Sequence, residues 1–124
     1  MTHSPQPDLG PLNWVKGEID LALARARESL DQAAASADPA GPLQFAQTHL
    51  HQARGALSIV GLDGLAQFTD AVDRLLAAQA RGDIDATQER LALAHRGVTA
   101  IGNYLDELAH GAPDRPLRLA DLYA

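Results

Sequence analysis

The chain lacks cysteine and is poor in aromatic residues, and each shortage excludes a class of protein. With no cysteine among its 124 residues, it has neither a disulfide framework nor thiol chemistry. Aromatic residues make up only 4% of the sequence, whereas alanine and leucine dominate a hydrophobic fraction of 46%. Because β-strands favour aromatic and β-branched residues, this composition indicates closely packed helices.

Basic charge is also in short supply. Ten lysine and arginine residues face 16 acidic ones, which gives a net charge of −6. Since binding to a phosphate backbone needs a basic surface, we expect no nucleic-acid partner. No apolar run is long enough to cross a bilayer, and the amino terminus lacks the features of a secretion signal. We therefore expect a cytoplasmic protein without membrane insertion.

Apolar residues recur at three- and four-residue steps in four segments, and this spacing predicts four helices. Three predicted helices cover about residues 11–35, 42–60 and 65–80, and a fourth opens within residues 85–88 and ends at about 109. The segment Asp85-Ala86-Thr87-Gln88 resembles a capping box that opens the fourth helix. Short connections between helices predict an all-α, up-down-up-down four-helix bundle.

The predicted bundle occupies residues 11–110 of a single domain. Residues 1–10 are rich in proline and are predicted to form a flexible lead. Residues 111–124 form a C-terminal tail with several apolar residues, which makes it a candidate for a short helix packed on the bundle. Trp14 is expected to pack in the core or at a helix end. The abrupt end after Tyr123 is typical of a domain excised from a larger protein.

The second predicted helix carries a histidine on its polar side. At about 100° per residue, six residues fall within roughly 60° of His51: Gln44, Gln47, Thr48, Arg54, Gly55 and Ser58. The opposite arc is apolar and is predicted to face the core: Leu43, Phe45, Ala46, Leu50, Ala53, Ala56, Leu57, Ile59 and Val60. His51 is therefore predicted to be exposed. His49 lies about 160° away and is predicted to be mostly buried.

This placement suits a phosphoryl acceptor. An imidazole with an ordinary pKa near 6.5 is neutral, and hence nucleophilic, at cytoplasmic pH. Arg54 lies one turn after His51 and can reach an added phosphoryl group of about −1.5 to −2 charge. Gly55 costs the helix up to about 1 kcal/mol relative to alanine. Its expected compensation is room for a partner, although a glycine that lets helices approach is an alternative.

The motif His51-x-Ala-Arg54-Gly55-Ala56, followed by Gly61 and Leu65, resembles the signature of histidine phosphotransfer (HPt) domains. The similarity is closest to the HPt domains of chemotaxis-type kinases, including CheA-like kinases of the ChpA/PilL pilus type. Three further segments support this similarity: Ala80-Arg81-Gly82-Asp83, Gly102-Asn103-Tyr104-Leu105 and Asp114-Arg115-Pro116-Leu117-Arg118-Leu119.

The resemblance also implies a carboxylate that holds the second nitrogen of His51. In chemotaxis kinases this residue is a glutamate of the next helix, and its position falls on Asp73 here. Because aspartate is one methylene shorter, Asp70, one turn earlier, is an alternative. Gln47 and Ser58 are candidates for the rim of the site, and either could simply be solvated.

No metal site is expected, because His49 and His51 do not share a helix face. The sequence contains neither a nucleophile–base triad nor a nucleotide-binding loop. The domain is therefore predicted to be no enzyme by itself and to bind no cofactor.

The function implied by the resemblance is phosphotransfer in a two-component phosphorelay. His51 would accept a phosphoryl group from a histidine kinase catalytic domain and pass it to an aspartate of a response-regulator receiver domain. ATP and Mg²⁺ would be bound by those partners, and the isolated domain is expected to be monomeric. Two alternatives remain open: an HPt-like scaffold that no longer carries phosphate, and a purely structural helical bundle.

Overall fold

A computed structural model of the chain describes residues 9–111, which form four α-helices. The helices are α1 (Leu9–Ala35), α2 (Ala40–Ile59), α3 (Asp63–Arg81) and α4 (Gln88–Ala109). They contain 85% of the described residues, and no strand occurs among these. The structure therefore confirms the predicted all-α four-helix bundle.

Each helix packs against its neighbours in the chain, and α1 also packs against α4, which closes the bundle. The antiparallel arrangement of α1 and α4 brings Lys16, near the start of α1, within 2.7 Å of Asp106, near the end of α4. Burial of a leucine or isoleucine side chain contributes about 1.5–3 kcal/mol. The largest fully buried side chains all belong to these two residue types: Ile19, Leu23, Leu30, Leu43, Leu50, Leu57, Leu62, Leu65, Leu76, Ile101 and Leu105.

Helices α1, α2 and α3 each begin two residues before their predicted starts. Helix α1 begins at Leu9, within the segment that was predicted to be a flexible lead. Helix α2 begins at Ala40, because the first turn of a helix tolerates proline and Pro42 leaves no hydrogen bond unmade there. The turn before α3 is shorter than predicted. Gly61 adopts a left-handed φ of 83°, and Asp63 already begins the next helix.

The capping box predicted at Asp85-Ala86-Thr87-Gln88 is wrong, because α4 begins with a simple cap. Thr87 is the N-cap residue, and its hydroxyl accepts a hydrogen bond of 3.1 Å from the backbone N–H of Arg90. A capping box needs glutamate or glutamine where Arg90 stands, so the reciprocal bond is missing. The side chain of Gln88 instead donates to the carbonyl of Ala34 at 2.9 Å and ties α4 to the end of α1.

Three large apolar side chains are exposed, contrary to prediction. Trp14 is 88% exposed and does not belong to the core, while Phe45 and Ile59 are 62% and 84% exposed. The apolar arc predicted for α2 is therefore wider than the face that is buried. Its buried residues form a narrower stripe because α2 lies between α1 and α3 and turns its remaining face outward: Leu43, Ala46, Leu50, Ala53 and Leu57.

None of the four helices is long and apolar enough to cross a membrane. The predicted helix in the C-terminal tail lies outside the described residues, apart from Gly111.

The ion pair between Lys16 and Asp106 predicts a pH-dependent contribution to stability. The hydrogen bond from Lys16 holds the pKa of Asp106 below its ordinary value of 3.8. A carboxylate with a lowered pKa stabilises the fold at pH values above its unfolded pKa, and this contribution disappears as the pH falls through the folded pKa. Because Asp106 is largely exposed, we expect Asp106→Asn to lower the free energy of unfolding by less than about 1 kcal/mol at neutral pH.

Urea unfolding of both proteins at pH 7 and at pH values below 3.8 measures this difference. It should shrink at acidic pH and in high salt. A difference that is the same at both pH values would show that Asp106 acts by packing and not by charge.

Candidate functional site

Helix α2 turns His51 toward solvent because the residues beside it are anchored in the core. Leu50 and Ala53 are fully buried, whereas the side chain of His51 is 65% exposed. The predicted exposure of His51 is confirmed. His49 is only partly buried, and its Nδ1 lies 3.4 Å from Oε1 of Gln52. The prediction that His49 is mostly buried is wrong, because the buried stripe of α2 is narrower than the predicted apolar arc and His49 lies just outside it.

Helix α3 brings a carboxylate to the imidazole of His51. Oδ2 of Asp73 lies 3.4 Å from Nδ1 of His51, and the Asp73 side chain is only 11% exposed. This distance is longer than the usual 2.7–3.2 Å of a hydrogen bond, so the two groups lie close together without a short hydrogen bond. Among the described residues, the buried Oδ1 of Asp73 has no hydrogen-bond partner. Although aspartate is one methylene shorter than glutamate, its carboxylate still lies beside the ring.

The contact distinguishes the two nitrogens of His51. Nδ1 faces an acceptor-only carboxylate, which favours a proton on this nitrogen. In the neutral ring, the lone pair is then on Nε2, at the tip of an exposed side chain. The geometry therefore keeps Nδ1 beside α3 and leaves Nε2 as the nitrogen that can act as a nucleophile.

Asp70, the alternative partner predicted for His51, contacts two arginines and not the imidazole. Its Oδ1 lies 3.5 Å from Nε of Arg54, and its Oδ2 lies 2.8 Å from Nη2 of Arg74. Arg74 did not figure among the sequence predictions. Its signal was the four-residue spacing from Asp70, which places the two side chains on one helix face.

A cleft of about 520 Å³ lies between α2 and α3 beside these charges. Ser58 lies in its wall together with Arg54, whereas Gln47 is partly buried and outside the cleft. The remaining lining residues belong to α3: Asp63, Ala66, Gln67, Asp70, Ala71 and Arg74. Two arginines and two aspartates balance, so the cleft as a whole carries no net charge.

Gly55 is exposed, and a Cβ atom added there would meet no atom within 4 Å. Packing within the bundle therefore does not require glycine at this position. The alternative that Gly55 lets two helices approach is not supported, and the glycine leaves open space beside His51.

No group of three histidine, aspartate or glutamate side chains in residues 9–111 is arranged to hold a metal ion.

Comparison of the sequence with known protein families identifies the family of this chain. Residues 18–111, which are most of the chain, match the Hpt domain family. The chain belongs to this family. No curated protein and no solved structure gives a significant match. Hpt domains are phosphotransfer modules that work with histidine kinases and receiver domains in phosphorelays, and they are not catalysts by themselves.

In this Hpt domain, the contact between Asp73 and His51 predicts which tautomer the imidazole of His51 adopts. At a pH where His51 is neutral, we expect the proton on Nδ1, because the carboxylate of Asp73 lies beside that nitrogen. Asp73→Ala removes the acceptor and should shift the proton population toward Nε2. Long-range ¹⁵N NMR of the imidazole measures both populations. Asp83→Ala, which removes an aspartate that pairs with Arg81, is the control and should change neither. Equal populations in wild type and Asp73→Ala would contradict the prediction.

Proposed function

We propose that this Hpt domain accepts a phosphoryl group on Nε2 of His51 and transfers it to a receiver domain. The observation that carries the proposal is an exposed imidazole whose Nδ1 lies against the buried carboxylate of Asp73. This arrangement supplies a nucleophile of defined orientation, which a solvated surface histidine would lack. The donor would be the catalytic domain of a histidine kinase, and the acceptor an aspartate of a response-regulator receiver domain.

The lone pair on Nε2 allows this nitrogen to attack the phosphorus atom of the donor. A bond forms between Nε2 and phosphorus while the bond from phosphorus to the leaving oxygen breaks, and that oxygen departs with the electron pair. The proton on Nδ1 stays in place, so the phosphorylated ring carries a positive charge that Asp73 stabilises. Passage to the receiver reverses the step: a carboxylate oxygen attacks phosphorus, and Nε2 recovers its lone pair.

Arg54 and Gly55 complete the proposed site. Arg54 follows His51 by one turn of α2, and its guanidinium can pair with the phosphoryl oxygens. Gly55 leaves the space that the active site of a partner needs to close on His51. Gln47 and Ser58 are proposed only as rim residues, because neither has a contact that assigns it a role.

The partners would supply the nucleotide chemistry in this scheme. ATP and Mg²⁺ would be bound by the kinase and receiver domains, and the isolated Hpt domain would act as a monomer in the cytoplasm. We further propose a parent kinase of the chemotaxis or type IV pilus type. The support for this subtype is the sequence similarity around the His51 motif and at Gly102-Asn103-Tyr104-Leu105.

The proposal predicts acid-labile, alkali-stable phosphate on His51 after incubation with phosphoramidate, a small phosphoryl donor. His51→Gln should abolish labelling and keep the fold, since the side chain is exposed. His49→Gln, two residues away on the same helix, should label like wild type. Mass spectrometry and ³¹P NMR locate the phosphate. If neither phosphoramidate nor a histidine kinase labels wild-type His51, the domain is a scaffold that has kept the fold without the chemistry.

Arg54→Ala should slow labelling of His51, because it removes the nearest compensating cation. It should change the free energy of unfolding by no more than about 0.5 kcal/mol, since Arg54 is exposed. Arg81→Ala, another exposed arginine, is the control for loss of a positive charge. An Arg54→Ala rate equal to that of the control would exclude Arg54 from the site.

A further inference from the structure

Asp70 holds two guanidinium groups that come from different helices. Arg54 belongs to α2 and approaches Oδ1 at 3.5 Å, whereas Arg74 belongs to α3 and approaches Oδ2 at 2.8 Å. Asp70 is mostly buried between them, while Arg74 is largely exposed. The carboxylate therefore has a closely held partner on its own helix and a loosely held partner on the helix of His51.

The two contacts differ in how easily they can be broken. A charge-assisted hydrogen bond between nitrogen and oxygen spans about 2.7–2.9 Å, which the Arg74 contact meets and the Arg54 contact exceeds. A phosphoryl group on His51 carries about −1.5 to −2 charge, more than a carboxylate. It would therefore attract Arg54 more strongly than Asp70 does.

We propose that Asp70 is a positioning residue that holds Arg54 in the unphosphorylated domain and releases it to the phosphoryl group on His51. Arg74 keeps the carboxylate paired after the release, so that a mostly buried charge is not left without a partner, which would be costly. This inference rests on the proposed function of His51. The two arginines then have different roles: Arg54 moves to the phosphoryl group, and Arg74 stays paired with Asp70.

The inference predicts opposite effects of two substitutions on the initial rate of His51 labelling by phosphoramidate, followed by ³¹P NMR. Asp70→Asn frees Arg54 and should raise the rate by about two- to fivefold, the range expected for a partly exposed ion pair. Arg74→Gln leaves Arg54 as the main partner of Asp70 and should lower the rate by a similar factor. Circular dichroism of each variant checks that the bundle is intact.

A general change in surface charge would have the same signs, so double variants separate the two explanations. In an Arg54→Gln background, Asp70→Asn should no longer raise the rate, because no guanidinium is left to be released. In an Asp70→Asn background, Arg74→Gln should have no effect. Asp63→Asn makes the same charge change in the same cleft, and its rate should stay within about 1.5-fold of wild type.

Three results would overturn the inference. The first is an unchanged or lower labelling rate in Asp70→Asn. The second is an equal increase in Asp63→Asn. The third is an increase that persists without Arg54. All three require that wild-type His51 is labelled, so they differ from failure of the proposed function, in which wild type itself stays unlabelled and both proposals fall together.

Discussion

The burial of one narrow leucine and alanine stripe on α2 is the constraint on which the site depends. Leu43, Leu50 and Leu57 are fully buried and recur every seven residues, so they fix the rotation of α2 between its neighbours. Once this rotation is set, His51 must face outward, and Arg54 must lie on the side of α3. The proposed phosphoryl chemistry would therefore need no pocket of its own. It would use a polar helix face whose orientation is set by the core.

Helix α3 supplies the second half of the site through two aspartates three residues apart. Asp73 is buried and meets His51, whereas Asp70, one turn earlier, meets the arginines. The same residue type thus has two environments within one turn of helix. The buried aspartate faces a ring nitrogen, and the less buried one faces two guanidinium groups. This division keeps the carboxylates from competing for the imidazole.

The fold was predictable because its signals are local. Apolar spacing and turn residues located all four helices, and the exposure of His51 followed from its angle to Leu50 and Ala53 on one helix. Helix ends were less accurate, since first turns accept residues such as Pro42 that interrupt a helix elsewhere. Phe45 and Ile59 were assigned to the core because hydrophobicity does not state how much of an apolar arc the neighbouring helices cover.

The sequence by itself determined which side chains share the polar face of α2, because residues on one helix keep a constant angular spacing. That spacing alone places His51, Arg54 and Gly55 on one face of the helix. Only the tertiary structure decided that Asp73 meets His51 and that Asp70 meets Arg54. Those contacts join two helices, and they depend on how α3 is rotated and shifted along α2. Side-chain packing sets that rotation and shift, and no local spacing in either helix encodes them.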